Sequence, residues 1–504
     1  MTTQPPSAED NARRSADWDV RCGPQNYLAL VGSQAVSSAL SFAAIWLATR
    51  LLGSAGYGGI AAIIAASQGV SQVAVQWTAV SVSRYGCEEF VQTGRVARTF
   101  WTRLLILVPN LLLVLITSAW WLPPIAEWLT IPASAHPLIL AHCLATAFWV
   151  HVQQTLQAAK LPRLQGALLA AERAQIVLIL AALFFIGRAS LLTVMGAYIL
   201  APLCAGGIGL WRLRALVAGV VFDRSLLKQI LQFSLPLVPY AVVGYLFTNH
   251  LDAFFITRFL SQSHLGVYAV AYQLTGTLMQ LPVLAGSLLL PLFVTLHVNG
   301  RENPVVRYLR DVLPLLTLGW STLCLIAATV GGTLAPYIFG VSFREVTWLL
   351  FPLMAAAALA GPWLMGYAPA SNAQSATYIT TTIGAAAAVT NVTLNLLLIP
   401  RYGLLGCAWA TVAAYGLMSL VGEYLTCRRL TSRPSWTMLA PLPTLTAAGY
   451  ATWRADLSSA LAVAALTAGL IVLSRRQSLS LGVRMLVTTN VMGPLVRRRL
   501  HHLS

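Results

Sequence analysis

Apolar runs of about twenty residues recur along the whole chain, and a run of that length crosses the hydrocarbon core of a bilayer as a helix. Fourteen are legible, at roughly 27–49, 57–82, 104–122, 137–158, 166–186, 190–211, 233–257, 264–290, 312–330, 347–368, 377–398, 404–425, 438–453 and 458–474. Lipid offers no partners to backbone amides, so only helices and closed barrels span it. A barrel is excluded, because the runs are too long and do not alternate. Composition agrees: 57% of the 504 residues are hydrophobic and 9% are charged, against about 25% charged in soluble domains. The thirteenth run, which holds Pro441 and Pro443, and the fourteenth are short, which leaves twelve spans as the alternative count.

Residues 48–72 and 256–280 are one segment written twice, at an offset of 208 with no gap. Thr49/Thr257, Arg50/Arg258, Leu52/Leu260, Gly58/Gly266, Ala61/Ala269 and Gln72/Gln280 match, and each copy joins two apolar runs through a short polar turn. Two similar halves in one membrane chain point to alternating access around a shared cavity. The fold class expected is an all-α polytopic membrane protein of about 14 transmembrane helices, with two pseudo-repeated six-helix lobes plus a C-terminal helix pair. The domains would be a disordered tail at 1–25, an N-terminal lobe at 26–215, a C-terminal lobe at 216–425, and the extra pair with a basic tail at 426–504.

Arginine sets the orientation. With the N-terminus in the cytoplasm, 25 of the 32 basic residues fall on tails and inner loops, among them Arg84, Arg98, Arg103, Arg224 and the Arg497–Arg499 run. Six fall outside, at Arg50, Arg188, Arg258, Arg344, Arg401 and Arg454, and Arg173 alone lies within a span. This bias puts both termini in the cytoplasm and accounts for the net charge of +17 as a topology signal. The charges are spread over many short loops, which is a poor pattern for nucleic acid. Membrane lipids are the expected surroundings, and the basic tail beyond Arg475 is topogenic or lies on anionic lipid. No signal peptide is expected before the first run.

Catalytic signatures are missing. Neither Lys160 nor Lys228 stands in a phosphate-binding glycine loop, and no metal-ligand spacing occurs. The seven cysteines are scattered. Neither cofactor nor metal is expected, and the chain reads as a mover of substrates rather than an enzyme.

The eleventh and twelfth runs carry Asn391-Val392-Thr393-Leu394-Asn395, then Ile399-Pro400-Arg401-Tyr402-Gly403, then Gly406-Cys407-Ala408. This resembles the Asn-x3-Asn-x3-Ile-Pro-x2-Gly-x2-Gly-Ala signature of Wzx-like polysaccharide flippases, members of the multidrug/oligosaccharidyl-lipid/polysaccharide exporter superfamily. Ser234-Leu235-Pro236-Leu237 and Gly266-Val267-Tyr268-Ala269-Val270-Ala271-Tyr272 are similar to further stretches of that family. Asp252-Ala253 departs from it, since the family often has Asp-Arg there. The resemblance covers about 27–425. It implies a lipid-linked oligosaccharide flippase in the bacterial plasma membrane, working for surface polysaccharide such as O-antigen beside glycan polymerase machinery. The alternatives are a cation-coupled multidrug exporter of the same superfamily and a membrane oligosaccharide polymerase.

Arg173 is the first cavity candidate, because a guanidinium fork pairs with phosphate oxygens. Snorkelling to the interface and an ion pair between helices are its other readings. Glu172 is next to it, with a side chain about 100° away. Asn391 and Asn395 share a helix face and serve the cavity or bond between helices. His151, Gln153 and Gln154 are further lining candidates. Asp252, with Asn249 and His250, is a coupling site for H+ or Na+, or a structural partner of Arg258 or a neighbouring lobe. Arg50 and Arg258 occupy matched positions, as interfacial anchors or as gate contacts.

Overall fold

The computed structural model describes residues 8–235, 238, 249–298, 303–374 and 377–475, and among these every regular element is helical. Among the described residues, ten helices are long and apolar enough to cross a membrane. Two of them, Gly32–Ala74 and Ile379–Arg429, each hold a pair of the expected runs. Each is kinked at a glycine in the left-handed region, Gly53 at φ 67° and Gly403 at φ 59°. Only glycine adopts that conformation without strain, so these two residues turn one helix into two. The ten helices therefore hold twelve of the expected runs. The seventh run, 233–257, lies partly outside the described residues. The thirteenth is the 13-residue helix Leu442–Arg454, which rises about 20 Å, short of the roughly 30 Å core.

The described residues fall into two compact units that divide after Gly266. The first holds α1 (Ala8–Ala74), α2 (Ala79–Thr93), α3 (Ala97–Trp128), α4 (His136–Ala158), α5 (Pro162–Ile186), α6 (Leu191–Leu213), the short α7 (Arg224–Ser234) and α8 (Asn249–Phe259). Of the segment expected to be disordered, 1–25, the backbone from Ala8 onward is described as the start of α1. α1 packs along α5, and α4 against α6. α8 packs on α1, which carries this unit past the lobe boundary expected after residue 215. Along α3, Leu112, Leu113, Ile116 and Trp120 are exposed. A continuous apolar face of that kind belongs in lipid rather than in water.

One expected run is broken. The run at 57–82 stops being α-helical at Ala74, passes through a tight turn at Gln76–Thr78, and resumes as α2. No glycine or proline stands there to announce the break.

The second unit holds α9 (Gln262–Val298) apart from its first residues, α10 (Asn303–Phe339), α11 (Val341–Ala373), α12 (Thr377–Arg429), α13 (Leu442–Arg454) and α14 (Leu457–Ser474). α11 is its centre: residues 349–363 are buried without interruption. A helix that is apolar on all sides belongs inside a bundle. α10, α12 and α13 pack around it. The C-terminal pair is tied in by Ser321 and Thr444, whose hydroxyls are 2.6 Å apart. Gly406 packs against the backbone of its own helix pair, where an added Cβ would meet the Leu398 carbonyl carbon at 2.6 Å.

Candidate functional site

The first unit buries a chain of polar groups. It begins at Glu89, near the end of α2, which accepts from the backbone amides of Arg98 at 2.8 Å and Thr99 at 2.7 Å. A carboxylate is favoured there by the unpaired amides at the start of α3. One turn further along α3, Arg103 is completely buried. Its Nε donates to Thr78 Oγ1 at 3.1 Å, its Nη2 to the Val75 carbonyl at 3.4 Å, and its Nη1 to His151 Nδ1 at 3.3 Å. Guanidinium has no acceptor, so Nδ1 must be the unprotonated nitrogen. The imidazole hydrogen is then on Nε2, which is buried and has no hydrogen-bond partner among the described residues. Phe100 covers the ring at 4.5 Å between centroids.

Arg103 was expected on an inner loop, with Arg173 the single arginine inside a span. The helix starts at Ala97 instead, which carries Arg103 into it. The signal was the four residues free of Arg and Lys between Arg98 and Arg103, too short to show where the loop ended. His151, expected to line a cavity, is packed against Arg103. Gln153 and Gln154 are half-buried beside it.

Glu172 and Arg173 diverge, as helical spacing requires. Glu172 is buried and accepts from Trp149 Nε1 at 3.0 Å. Arg173 is half-buried and interacts electrostatically with Tyr198 on α6, which in turn interacts with the buried Tyr57 on α1. Ser67 and His142 form a further buried pair, 2.6 Å apart, on α1 and α4.

At the far end of the unit, Thr257 Oγ1 donates to the Trp128 carbonyl at 3.2 Å, and Trp128 Nε1 to the Phe254 carbonyl at 2.7 Å. Arg258 is exposed and lies over the Trp128 ring, 5.8 Å from its centroid. Arg50 is also exposed, and Asp252 is 3% exposed. The backbone of Asn249 and His250 starts α8, while their side chains lie outside the described residues. The structure does not bring Asp252 and Arg173 into one described cluster.

In the second unit Asn395 Nδ2 donates to Asn391 Oδ1 at 3.0 Å, and Asn391 Nδ2 lies 3.5 Å from Thr411 Oγ1. The pair bridges the two arms of α12 across the Gly403 kink. Glu423 is buried and accepts from the Tyr367 hydroxyl at 2.9 Å and from the Ser435 amide at 3.1 Å. This ties the connector leading to α13 onto the bundle. Among the described residues no group of three or more His, Cys, Asp or Glu could hold a metal ion. These sites hold buried arginine, carboxylate and amide groups bonded to neighbours within each unit.

Helical bundles of membrane-spanning length, in two units, define a polytopic membrane protein fold. The polysaccharide biosynthesis protein family matches residues 24–297, more than half of the 504, and the chain belongs to that family. The fold is similar to that of the lipid II flippase MurJ in an inward closed conformation, with TM-score 0.64 and 13% identity over 90% of this chain and 99% of that one. It is also similar to a multidrug resistance MATE family transporter of the MOP superfamily. The outward-facing form matches with TM-score 0.56 and 13% identity over 84% of this chain and 96% of that one. The inward-facing form matches with TM-score 0.55 and 14% identity over 80% and 98%. Among curated proteins there is no match.

Proposed function

We propose that this protein flips a polyprenyl-diphosphate-linked oligosaccharide from the inner to the outer leaflet of the bacterial plasma membrane, by alternating access, in surface polysaccharide biosynthesis. The observation that carries the reading is the polysaccharide biosynthesis family match over residues 24–297 on a chain with a flippase-like fold. The physical need is plain: a sugar-diphosphate head would lose its water in hydrocarbon. A hydrated path removes that barrier while the prenyl tail stays in lipid. Arg173, half-buried on α5, is the proposed diphosphate contact, with Asn391 and Asn395 ordering the α12 pair. Asp252 is the proposed site for a coupling proton or sodium ion. Glycan polymerase machinery is the proposed downstream partner, and both termini are placed in the cytoplasm.

The MATE likeness favours a second reading, export of cationic drugs. Deletion separates the two. Loss of the flippase leaves polyprenyl-diphosphate oligosaccharide on the cytoplasmic leaflet and removes a surface glycan. Normal glycan display with altered resistance to cationic drugs would overturn the first reading. Shortened glycans with normal flipping would point to a polymerase.

A further inference from the structure

The two copies of the repeated segment touch each other at their own equivalent positions. A Cβ added to Gly58 would run into the Gln262 carbonyl, and one added to Gly266 would run into the Ser54 carbonyl. Positions 58 and 266 differ by 208, and so do 54 and 262. Exchanging the copies maps the contact onto itself. Each absent Cβ would also lie 3.0 Å from the other glycine's amide nitrogen, so the crossing is backbone on backbone. Only glycine permits that approach, and weak Cα–H to carbonyl contacts follow from it. Beside it the Ser54 and Ser263 hydroxyls are 2.6 Å apart. Gln262 Nε2 adds a bond to the Thr130 carbonyl at 2.8 Å.

We propose that the Gly58–Gly266 crossing is a latch: it holds the repeat-related helix ends together in this state and parts in each transport cycle. The inference rests on the alternating-access reading, and three features carry it. The contact joins equivalent points of the two copies, where a relative rotation of the copies would act. It lies directly after both segment breaks, Gly53 in the first copy and Leu260–Ser261 in the second, so each end can move about its own break. It is made of weak contacts between bare backbones with one hydroxyl pair, which separate at little cost and re-form in one register.

The test is a disulfide. Ser54→Cys with Ser263→Cys is placed in the full-length protein with its seven native cysteines replaced by Ala. A protease site inserted near Val220 reports the crosslink. The protein is reconstituted in vesicles with a polyprenyl-diphosphate oligosaccharide. The latch predicts rapid oxidation, loss of at least nine-tenths of flipping, and recovery on reduction. Flipping that survives a complete crosslink would overturn it, since the crossing would then be a fixed pivot. Failure to crosslink while each single cysteine reacts with maleimide would also overturn it.

Crosslink yield is scored independently of transport. Adding Gly58→Ala to the cysteine pair should lower the yield several-fold at equal expression, and an unchanged yield would sink the latch. If the reduced pair and the wild type both fail to flip the lipid, the transport reading fails instead, and the Gly58→Ala yield alone decides the latch.

Discussion

Arg103 donates from Nη1 to Nδ1 of His151 across 3.3 Å, and its other two partners are the Val75 carbonyl and the Thr78 hydroxyl. An arginine with no exposed surface is thus held by three neutral acceptors, two of them supplied by the break between α1 and α2. The guanidinium sits on the break, where the Val75 carbonyl also accepts from the Thr78 hydroxyl at 3.0 Å.

Removing Arg103 should therefore destabilise the first unit. Arg103→Ala leaves His151 Nδ1 buried without a partner, at a cost of roughly 1–3 kcal/mol, while Thr78 Oγ1 and the Val75 carbonyl keep each other. Arg103→Lys keeps the charge but loses the fork, so it should fall between Ala and wild type. Thermal unfolding in detergent, followed by size-exclusion recovery, is the measurement. An Arg103→Ala variant that melts like the wild type would show that the turn at Gln76–Thr78 stands unaided.

Arg173 and Glu172 should separate by phenotype. If Arg173 contacts diphosphate, Arg173→Lys retains partial flipping and Arg173→Ala little, at unchanged membrane expression. Glu172 accepts from Trp149 inside the bundle, so Glu172→Ala should lower thermal stability by roughly 1–3 kcal/mol and spare the transport of surviving protein. Silent Arg173→Lys with reduced expression of Arg173→Ala would instead indicate a snorkelling side chain. Abolished flipping in a stably expressed Glu172→Ala variant would make the acid the functional group.

Asp223 caps α7 and should make that helix acid-sensitive. The Ser225 hydroxyl, then the Leu226 amide, and also the Arg98 charge hold its carboxyl below the ordinary value of 3.8. A depressed folded value means the stabilisation is present above the unfolded value and is lost as pH falls through the folded one. The window is thus below pH 3.8. Amide exchange at Ser225 and Leu226 should quicken there in the wild type. Asp223→Asn should show no such step, because it caps without titrating. Asp223→Ala should lose at most about 1 kcal/mol of capping at neutral pH, lessened by solvent screening.

Cysteine labelling tests the topology. Positions near Arg98 and Arg224 should label from the cytoplasm, and a position near Glu127 from outside. Arg98 and Glu127 on the same side would break the assignment of α3. Near Arg454, labelling from outside means that α13 and α14 cross the membrane. Labelling from inside means that the 13-residue α13 and its partner form a surface hairpin.

Much of this architecture is legible one residue at a time. Long apolar runs define spans because lipid forces every backbone bond into its own segment. Gly53 and Gly403 mark where a continuous helix turns, since a positive φ is a local property of the chain. The Asn391–Asn395 spacing puts both amides on one face, and the adjacent Glu172 and Arg173 diverge for the same geometric reason. These features are set within one or two helical turns, so sequence is enough to find them.

The break at Val75–Thr78 and the burial of Arg103 are decided by tertiary structure. Gln76-Trp77-Thr78 has no residue that breaks a helix, and Arg103 follows a basic stretch that looks like a loop. What settles both is a guanidinium on α3 meeting a carbonyl and a hydroxyl 28 and 25 residues away. The same holds for Gly58 and Gly266. Their repetition is written in the sequence, but each needs to be glycine because the other copy's backbone occupies the space where its Cβ would go. Sequence carries the constraints that act along the chain, and only the packed helices show those that act across it.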